Sequence, residues 1–231
     1  MVIGIIGAME EEVAVLKTSM EVEEVVNYAS MEFCKGTLCG KQVVIVRSGI
    51  GKVNAGICAQ ILADKFNVDK IIHTGIAGSL DAQIDIGDVV VSTDLVEHDM
   101  DATLFGDPLG QVPRMDTFSF PADPELVEKA VVANEEANPD IKTFTGRIVS
   151  GDQFVSSPEV KEKLVAHFQA KCTEMEGAAV AHAAYLNKIS CVIIRAISDK
   201  ADNSATMDYP TFEKLAIERS VRLVKNLLPR I

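Results

Sequence analysis

Apolar residues in this chain fall into short continuous runs, separated by longer stretches in which they recur every three or four positions. The first pattern predicts buried strands and the second amphipathic helices. Residues 2–6 read as a strand and 10–19 as a helix. Residues 31–37 and 41–47 read as a hairpin turning at Cys39-Gly40. Helical spacing over 51–66 puts Val53, Ile57, Ile61 and Leu62 on one face. Residues 70–73 and 88–92 are strands, with a glycine-rich turn, Gly75-Ile76-Ala77-Gly78, between them. Asp123-Pro124 supplies a cap and a first-turn proline for a helix over 124–138. A strand over 144–150, a helix over 158–168, an alanine-rich helix over 176–186, a strand over 191–196 and a closing helix over 209–228 complete the pattern. Strands alternating with helices predict an α/β fold, a single domain over 1–231 in three α/β/α layers around a central mixed sheet. Residues 98–120, rich in Gly, Pro, Asp and Phe, fit no element; a structureless stretch of that length is usually functional or at an interface.

Composition narrows the classes. The chain has 231 residues, 48% of them hydrophobic, enough for a substantial core, and a formal net charge of −12. That balance argues against general nucleic-acid binding and against anionic membranes, both of which need a basic face. No apolar run approaches the roughly 20 residues of a membrane span. The opening segment Met1-Val2-Ile3-Gly4-Ile5-Ile6-Gly7 has no basic leader and no cleavage site, so it reads as a strand and not as a signal peptide. Five cysteines, odd in number and without a C-x-x-C pair, read as reduced structural thiols of a cytoplasmic protein.

The candidate chemistry lies in acids. Ser198-Asp199-Lys200-Ala201-Asp202 follows an apolar strand, and active sites of α/β sheets collect at the carboxyl ends of strands. A carboxyl shielded there can have its pKa raised enough to act as a proton donor near neutrality. Glu10-Glu11-Glu12 follows the first strand, and Glu174-Met175-Glu176 precedes the alanine-rich helix. The helix dipole accounts for two of the first three acids, which leaves one carboxylate free to act as a base. Met175 between two acids is placed to pack under a ring or sugar. Arg195, inside an apolar strand, needs an acidic partner, and Glu12 or Glu174 could serve. Three separated carboxylate groups around one sheet edge point to hydrolytic acid–base chemistry.

Other motifs fail on spacing. Gly4-Ile5-Ile6-Gly7 is not G-x-G-x-x-G, and the glutamates after it would repel a pyrophosphate. Ser48-Gly49-Ile50-Gly51-Lys52 lacks the full phosphate-loop pattern and reads as a strand-to-helix turn, with backbone near a ligand as a secondary role. His73 to Ser79 is small and flexible, either a structural turn or a place where a flat ligand meets the backbone. His98, Asp99 and Asp101 lack companions at metal spacing. There is no Gly-x-Ser-x-Gly elbow.

Seven segments in order carry a family resemblance: 3–12, 48–53, 98–106, 110–113, 150–154, 174–176 and 195–199. Together they resemble the 5′-methylthioadenosine/S-adenosylhomocysteine nucleosidases over almost the whole chain. The resemblance implies the nucleoside phosphorylase-like fold, a homodimer, no metal and no organic cofactor. It implies hydrolysis of the N-ribosyl bond of adenine nucleoside thioethers. Asp199 would protonate adenine N7 with Ser198 beside it, and Glu12 would deprotonate the attacking water, helped by Arg195. Glu176 and Glu174 would serve the ribose end, with Met175 beneath the sugar. Phe154 would stack on adenine while the backbone of Val155 reads its edge. Met9, Ile50 and Tyr209 would line the pocket for the 5′-substituent, with Ile76, Ala77 and Gly78 along the floor. Phe105 and Pro113, from loop 98–120, would reach across the dimer into the partner's site. Some members carry a serine where this chain has Ile76, whose hydroxyl helps hold the water; here Glu12 and Arg195 would carry more of that task. Methylthio, homocysteinyl, bare 5′-deoxy and futalosine-type substituents all suit enzymes with this signature.

Two rivals compete. A phosphorolytic enzyme of the same fold would need basic and small polar groups around an anion, where this chain offers Glu10 to Glu12. A silent nucleoside-binding protein would be expected to have lost Asp199, Glu12 or Glu176, and all three are present.

Overall fold

A computed structural model describes residues 1–202 and 204–231, without the side chains of residues 206 and 207. One mixed sheet runs through the molecule. Its strands are β1 Val2–Gly7, β2 Glu21–Tyr28, β3 Met31–Leu38, β4 Lys41–Arg47, β5 Lys70–Ser79, β6 Val89–Glu97, β7 Phe120–Pro121, β8 Thr143–Ser150, β9 Cys172–Glu174 and β10 Ser190–Asp199. The helices are α1 Glu10–Ser19, α2 Lys52–Phe66, α3 Pro124–Ala137, α4 Pro158–Phe168, α5 Gly177–Asn187 and α6 Ala205–Leu227.

The strands read as apolar runs because both faces are covered. Along β10, Val192, Ile194 and Ala196 face a cluster with Leu16 of α1, Leu126 and Ala130 of α3 and Leu223 of α6. Cys191, Ile193 and Ile197 face the opposite cluster, which includes Ala55, Cys58 and Leu62 of α2 and Ala178 and Val180 of α5. Successive residues point to opposite faces of a strand, so one run of β-branched residues serves both layers. Burying each such side chain stabilises the fold by about 1.5–3 kcal/mol. A smaller cluster seats α4 through Leu164 and Phe168 against Val96 and Val149.

The sheet is not a plain open ribbon. β10 pairs in parallel with β5 and antiparallel with β6; β8 joins β6 to β9; β9 returns to β5. Five strands therefore close into a ring, from which β1, β4, β3 and β2 extend as an open wing. β5 is shared by both parts. Its first residues, up to His73, pair with β1, and Gly78 and Ser79 pair with β9. Between them one edge of β5 has no neighbouring strand, and the crevice lies there.

Several expectations need correction. Gly75-Ile76-Ala77-Gly78 is the second half of β5 and not a turn, because β10 pairs with it continuously through Ala77. Asp199 is the last residue of β10 rather than part of a following loop. β2 was not expected; it is an edge strand with mostly exposed side chains, so it carries no core-facing alternation. β9 has only three residues, too short to give a pattern. On α2 the buried face is Ala55, Cys58, Ala59 and Leu62, small residues that let the helix approach α5 closely. Val53 and Ile57 point outward, 73% and 43% exposed. α6 begins at Ala205, upstream of the expected start at Tyr209.

Candidate active site

The crevice is a cavity of about 340 Å³. Its walls come from the β1–α1 turn (Ala8, Met9, Glu12), the unpaired edge of β5 (Ile76, Ala77, Gly78), the segment after β8 (Gln153, Phe154, Val155), β9 and its exit (Thr173 to Glu176), the end of β10 (Ser198, Asp199) and Tyr209 of α6. Ile50 stands at its mouth, more than half exposed. Chain segments far apart in sequence meet here because the ring and the wing part company at this point of β5.

Glu12 is the third residue of α1, and its carboxylate folds back over the helix start. Oε2 accepts from the N–H groups of Ala8 (2.7 Å) and Met9 (3.0 Å), helix-start donors that have no intrahelical partner. Oε1 accepts from the N–H of Ile76 at 3.2 Å, on the stretch of β5 that lacks a strand neighbour. Burial raises the Glu12 pKa; the Arg195 charge and these three N–H donors pull against it. Glu10, by contrast, stays at the surface with Lys17 and Arg47.

Arg195 is 1% exposed and does not line the cavity. Its partner is Glu174, through Nε at 3.1 Å and through Nη2. Nη2 also meets both ring nitrogens of His73 at 3.1 and 3.2 Å. Burial, together with the neighbouring Arg195 charge, holds the His73 pKa well below its ordinary value, so this imidazole is neutral. Glu174 also accepts from Gly177 N–H at the start of α5 and from the Ser150 hydroxyl, whose oxygen accepts from Ala178 N–H at 2.7 Å. Every oxygen of Glu174 is thus engaged by protein donors. It is a brace between α5 and Arg195.

Glu176 is different. Gly51 N–H donates to its Oε1 at 2.8 Å, and among the described residues Oε2 takes no hydrogen bond. Burial first, and then the Glu174 charge, push its pKa well above the ordinary carboxylate range.

Asp199 closes the far wall. Ser198 Oγ donates to Oδ2 at 2.9 Å and Ala201 N–H donates to Oδ1 at 2.8 Å. Burial raises its pKa against those two donors, and the charges of Asp208 and Asp202 add to the rise. Gly78 is required beside it, since a Cβ there would lie 2.8 Å from Asp199 Oδ1. Phe154 and Tyr209 meet edge to face with centroids 5.8 Å apart, and the Tyr209 hydroxyl lies 3.4 Å from Met9 Sδ. These three form an apolar wall.

Of the residues expected in the site, all but Arg195, Phe105 and Pro113 line this cavity. Phe105 is 90% exposed on a short 3₁₀ turn, and Pro113 is also exposed. Residues 206–211 belong to the start of α6, and the side chains of residues 206 and 207 lie outside the described residues. Ala8, Gln153 and Thr173 line the cavity without having been expected. Gln153 stood inside a segment that carried the resemblance, and Thr173 preceded one, so adjacency was the available signal. His73 and Ser150 lay in segments singled out above, but their contacts with Arg195 and Glu174 were not foreseen. Among the described residues no group of three His, Cys, Asp or Glu side chains is placed to hold a metal ion.

The crevice at the strand ends and the convergent acids have the form of a small-molecule active site on an α/β sheet. The model of the phosphorylase superfamily matches residues 2–229. A 5′-methylthioadenosine/S-adenosylhomocysteine nucleosidase of Staphylococcus saprophyticus is 43% identical, over 99% of this chain and 100% of its own. The crystal structure of the Neisseria meningitidis nucleosidase of the same name, in complex with methylthio-immucillin-A, superposes with a TM-score of 0.95 at 37% identity, covering 100% of this chain and 99% of that one. A futalosine hydrolase of Helicobacter pylori superposes at 0.94 with 34% identity, covering 100% and 98%. The chain belongs to the phosphorylase superfamily and, within it, to the 5′-methylthioadenosine/S-adenosylhomocysteine nucleosidase family.

Proposed function

We propose that this protein hydrolyses the N-ribosyl bond of 5′-methylthioadenosine and S-adenosylhomocysteine, and of 5′-deoxyadenosine, releasing adenine and the 5-substituted ribose. One observation carries the choice of water as nucleophile: four buried carboxyls, those of Glu12, Glu174, Glu176 and Asp199, line the cavity, and among the described residues no Lys, Arg or His does. Arg195 is paired with Glu174, and Lys52 is held by Glu97 and Asp99. A phosphate dianion has no cationic seat there, while neutral water does not need one.

In this reading Asp199, whose pKa burial raises, gives a proton to the departing adenine. Glu12 takes a proton from the attacking water, and its N–H donors hold the carboxylate in place. The oxocarbenium-like sugar develops positive charge between Glu12 and Glu176, so the acidic walls stabilise the transition state more than the neutral substrate. Glu176 Oε2 accepts from the ribose hydroxyls over Met175. Adenine lies against Phe154, and Met9, Ile50 and Tyr209 receive the 5′-thioether.

The active unit in this proposal is a homodimer in which loop 98–120 supplies Phe105 and Pro113 to the partner's site. Supporting it, Leu104 and Phe105 are 97% and 90% exposed, and α2 presents Val53 and Ile57 outward. Exposed apolar groups on this scale mark interaction surfaces. All five cysteines are unpaired thiols, which fits the reducing cytoplasm.

The test is chromatography of products from 5′-methylthioadenosine with and without inorganic phosphate. Adenine and free 5-methylthioribose in phosphate-free buffer is the expected result. Sugar 1-phosphate formed only when phosphate is added would make the enzyme a phosphorylase, and no adenine under either condition would return the binding-protein alternative.

A further inference from the structure

Lys161 lies on α4, outside the cavity, yet it is one peptide group away from Asp199. Its Nζ donates to the carbonyl oxygen of Lys200 at 2.5 Å. The N–H of that same peptide group belongs to Ala201 and donates to Asp199 Oδ1 at 2.8 Å. Carbonyl and N–H point in opposite directions across a trans peptide, so the ammonium and the carboxyl sit on its two sides. Ala201 has φ +51°, the left-handed region that a residue with a Cβ adopts only when held there. The Lys200 side chain adds a second tie, to the carbonyl of Ile84 and to Asp85 on the other side of the segment.

We propose that Lys161 is a positioning residue for Asp199, acting through the Lys200–Ala201 peptide group. This rests on the assignment of Asp199 as the acid. Two effects follow from the geometry. The ammonium fixes the peptide so that its N–H, and not its carbonyl, faces Asp199; a flipped peptide would aim an oxygen lone pair at the carboxyl. It also polarises the amide, which makes the N–H a stronger donor to Oδ1. Oδ1 takes this N–H and Oδ2 takes the Ser198 hydroxyl, so the plane of the carboxyl is fixed from both sides. Lys161 belongs to the helix that follows Phe154 and Val155, so the same contact ties the adenine-side wall to the segment after the acid.

The groups around Asp199 set the sign of the pH effect. Ser198 and Ala201 donate to it and favour the carboxylate; Asp202 and Asp208 oppose ionisation; Lys161 and Lys200 are the cations of the segment. Removing Lys161 weakens a donor to the carboxylate, so the acid holds its proton to higher pH.

The experiment compares kcat against pH for the parent, Lys161→Met, Lys161→Arg and Asp199→Asn on 5′-methylthioadenosine. Lys161→Met is expected to lower kcat about tenfold, and to move the alkaline limb to higher pH by about one pH unit, while Lys161→Arg keeps both near the parent. An alkaline limb unmoved in Lys161→Met, whatever its rate, overturns the proposal, and so does Lys161→Arg behaving like Lys161→Met. Asp199→Asn separates the two claims. If it keeps parent turnover, the acid assignment falls and this inference with it. If it is inactive while Lys161→Met matches the parent, only the role of Lys161 falls.

Discussion

Glu12 and Arg195 face each other across the Cα of Gly75 without forming a pair. A Cβ on that glycine would lie 2.5 Å from Glu12 Oε1 and 2.7 Å from Arg195 Nη1, while the guanidinium gives its hydrogen bonds to Glu174. Both groups occupy space that a side chain at residue 75 would take.

Gly75→Ala therefore pushes the Glu12 carboxylate off the N–H groups that orient it. A displacement of this size costs about 10²-fold in rate when it falls on a reacting group. The expected outcome is a kcat reduced by about that factor with the far-ultraviolet spectrum unchanged; parent-like kcat would show that Glu12 can move freely.

Glu174→Gln removes the carboxylate that hydrogen-bonds Arg195 and leaves the buried guanidinium only the unpaired charges of Glu12 and Glu176. Breaking one partner of a buried pair costs about 3–5 kcal/mol, so this is expected to be the most destabilising single change in the site. Urea denaturation of parent and variant reads it directly. A loss below 1 kcal/mol, on the scale of an exposed pair, would mean that water reaches the guanidinium.

Glu176 responds in the opposite sense. Its pKa is raised in the folded protein, so the folded state binds its proton more tightly than the unfolded chain does. The stability this contributes is complete below the unfolded value of about 4.3 and is lost as pH rises through the folded value. Glu176→Gln removes that loss, and Tm should fall less steeply above pH 4.3 than in the parent. Turnover should drop as well, since the ribose hydroxyls lose a carboxyl partner. Parallel Tm curves for the two proteins would place the Glu176 carboxyl in water.

Asp199→Asn keeps the shape of the site, with Ala201 N–H still able to donate to the remaining oxygen, and removes the transferable proton. The expected loss in kcat is about 10²–10⁴-fold, the usual contribution of a general acid. In the parent the protonated form is active, so kcat should decline as pH rises through the raised Asp199 pKa. Steady-state rates across pH check both statements.

Ile57→Glu places a charge on the exposed apolar side of α2. If that side is covered in the proposed homodimer, sedimentation should show a shift to monomer at assay concentrations, with activity falling in step. A parent that is already a fully active monomer would remove the dimer from the proposal.

Much of this was legible in the chain. The acids were readable because each follows a strand or opens a helix, where a carboxylate's position is nearly dictated by the backbone. What stayed hidden depended on neighbours. The ionic partner of Arg195 could not be chosen between Glu12 and Glu174 from spacing, because the choice is made by β9, three residues long. The stretch from Gly75 to Gly78 looked like a turn since glycine is read as a breaker; in place, two of its small residues make room for Glu12, Arg195 and Asp199. On α2, apolar spacing pointed to Val53, Ile57, Ile61 and Leu62; only Leu62 is fully buried, and the rest of the packed face is Ala and Cys, which weigh little in any hydrophobic pattern.

The ring of five strands has a seam. β9 meets β5 through only two residue pairs, Gly78 with Thr173 and Ser79 with Cys172, and both strands continue from there into the cavity wall. A closed loop of strands opens most easily at its least laced joint, and local opening is governed by such joints. A ligand resting on Gly78 on one side and Met175 on the other spans that joint and supplies the rungs that the backbone lacks. A substrate bound across that joint would therefore favour the closed ring over its opened forms, adding stability at the place where the backbone ladder is shortest.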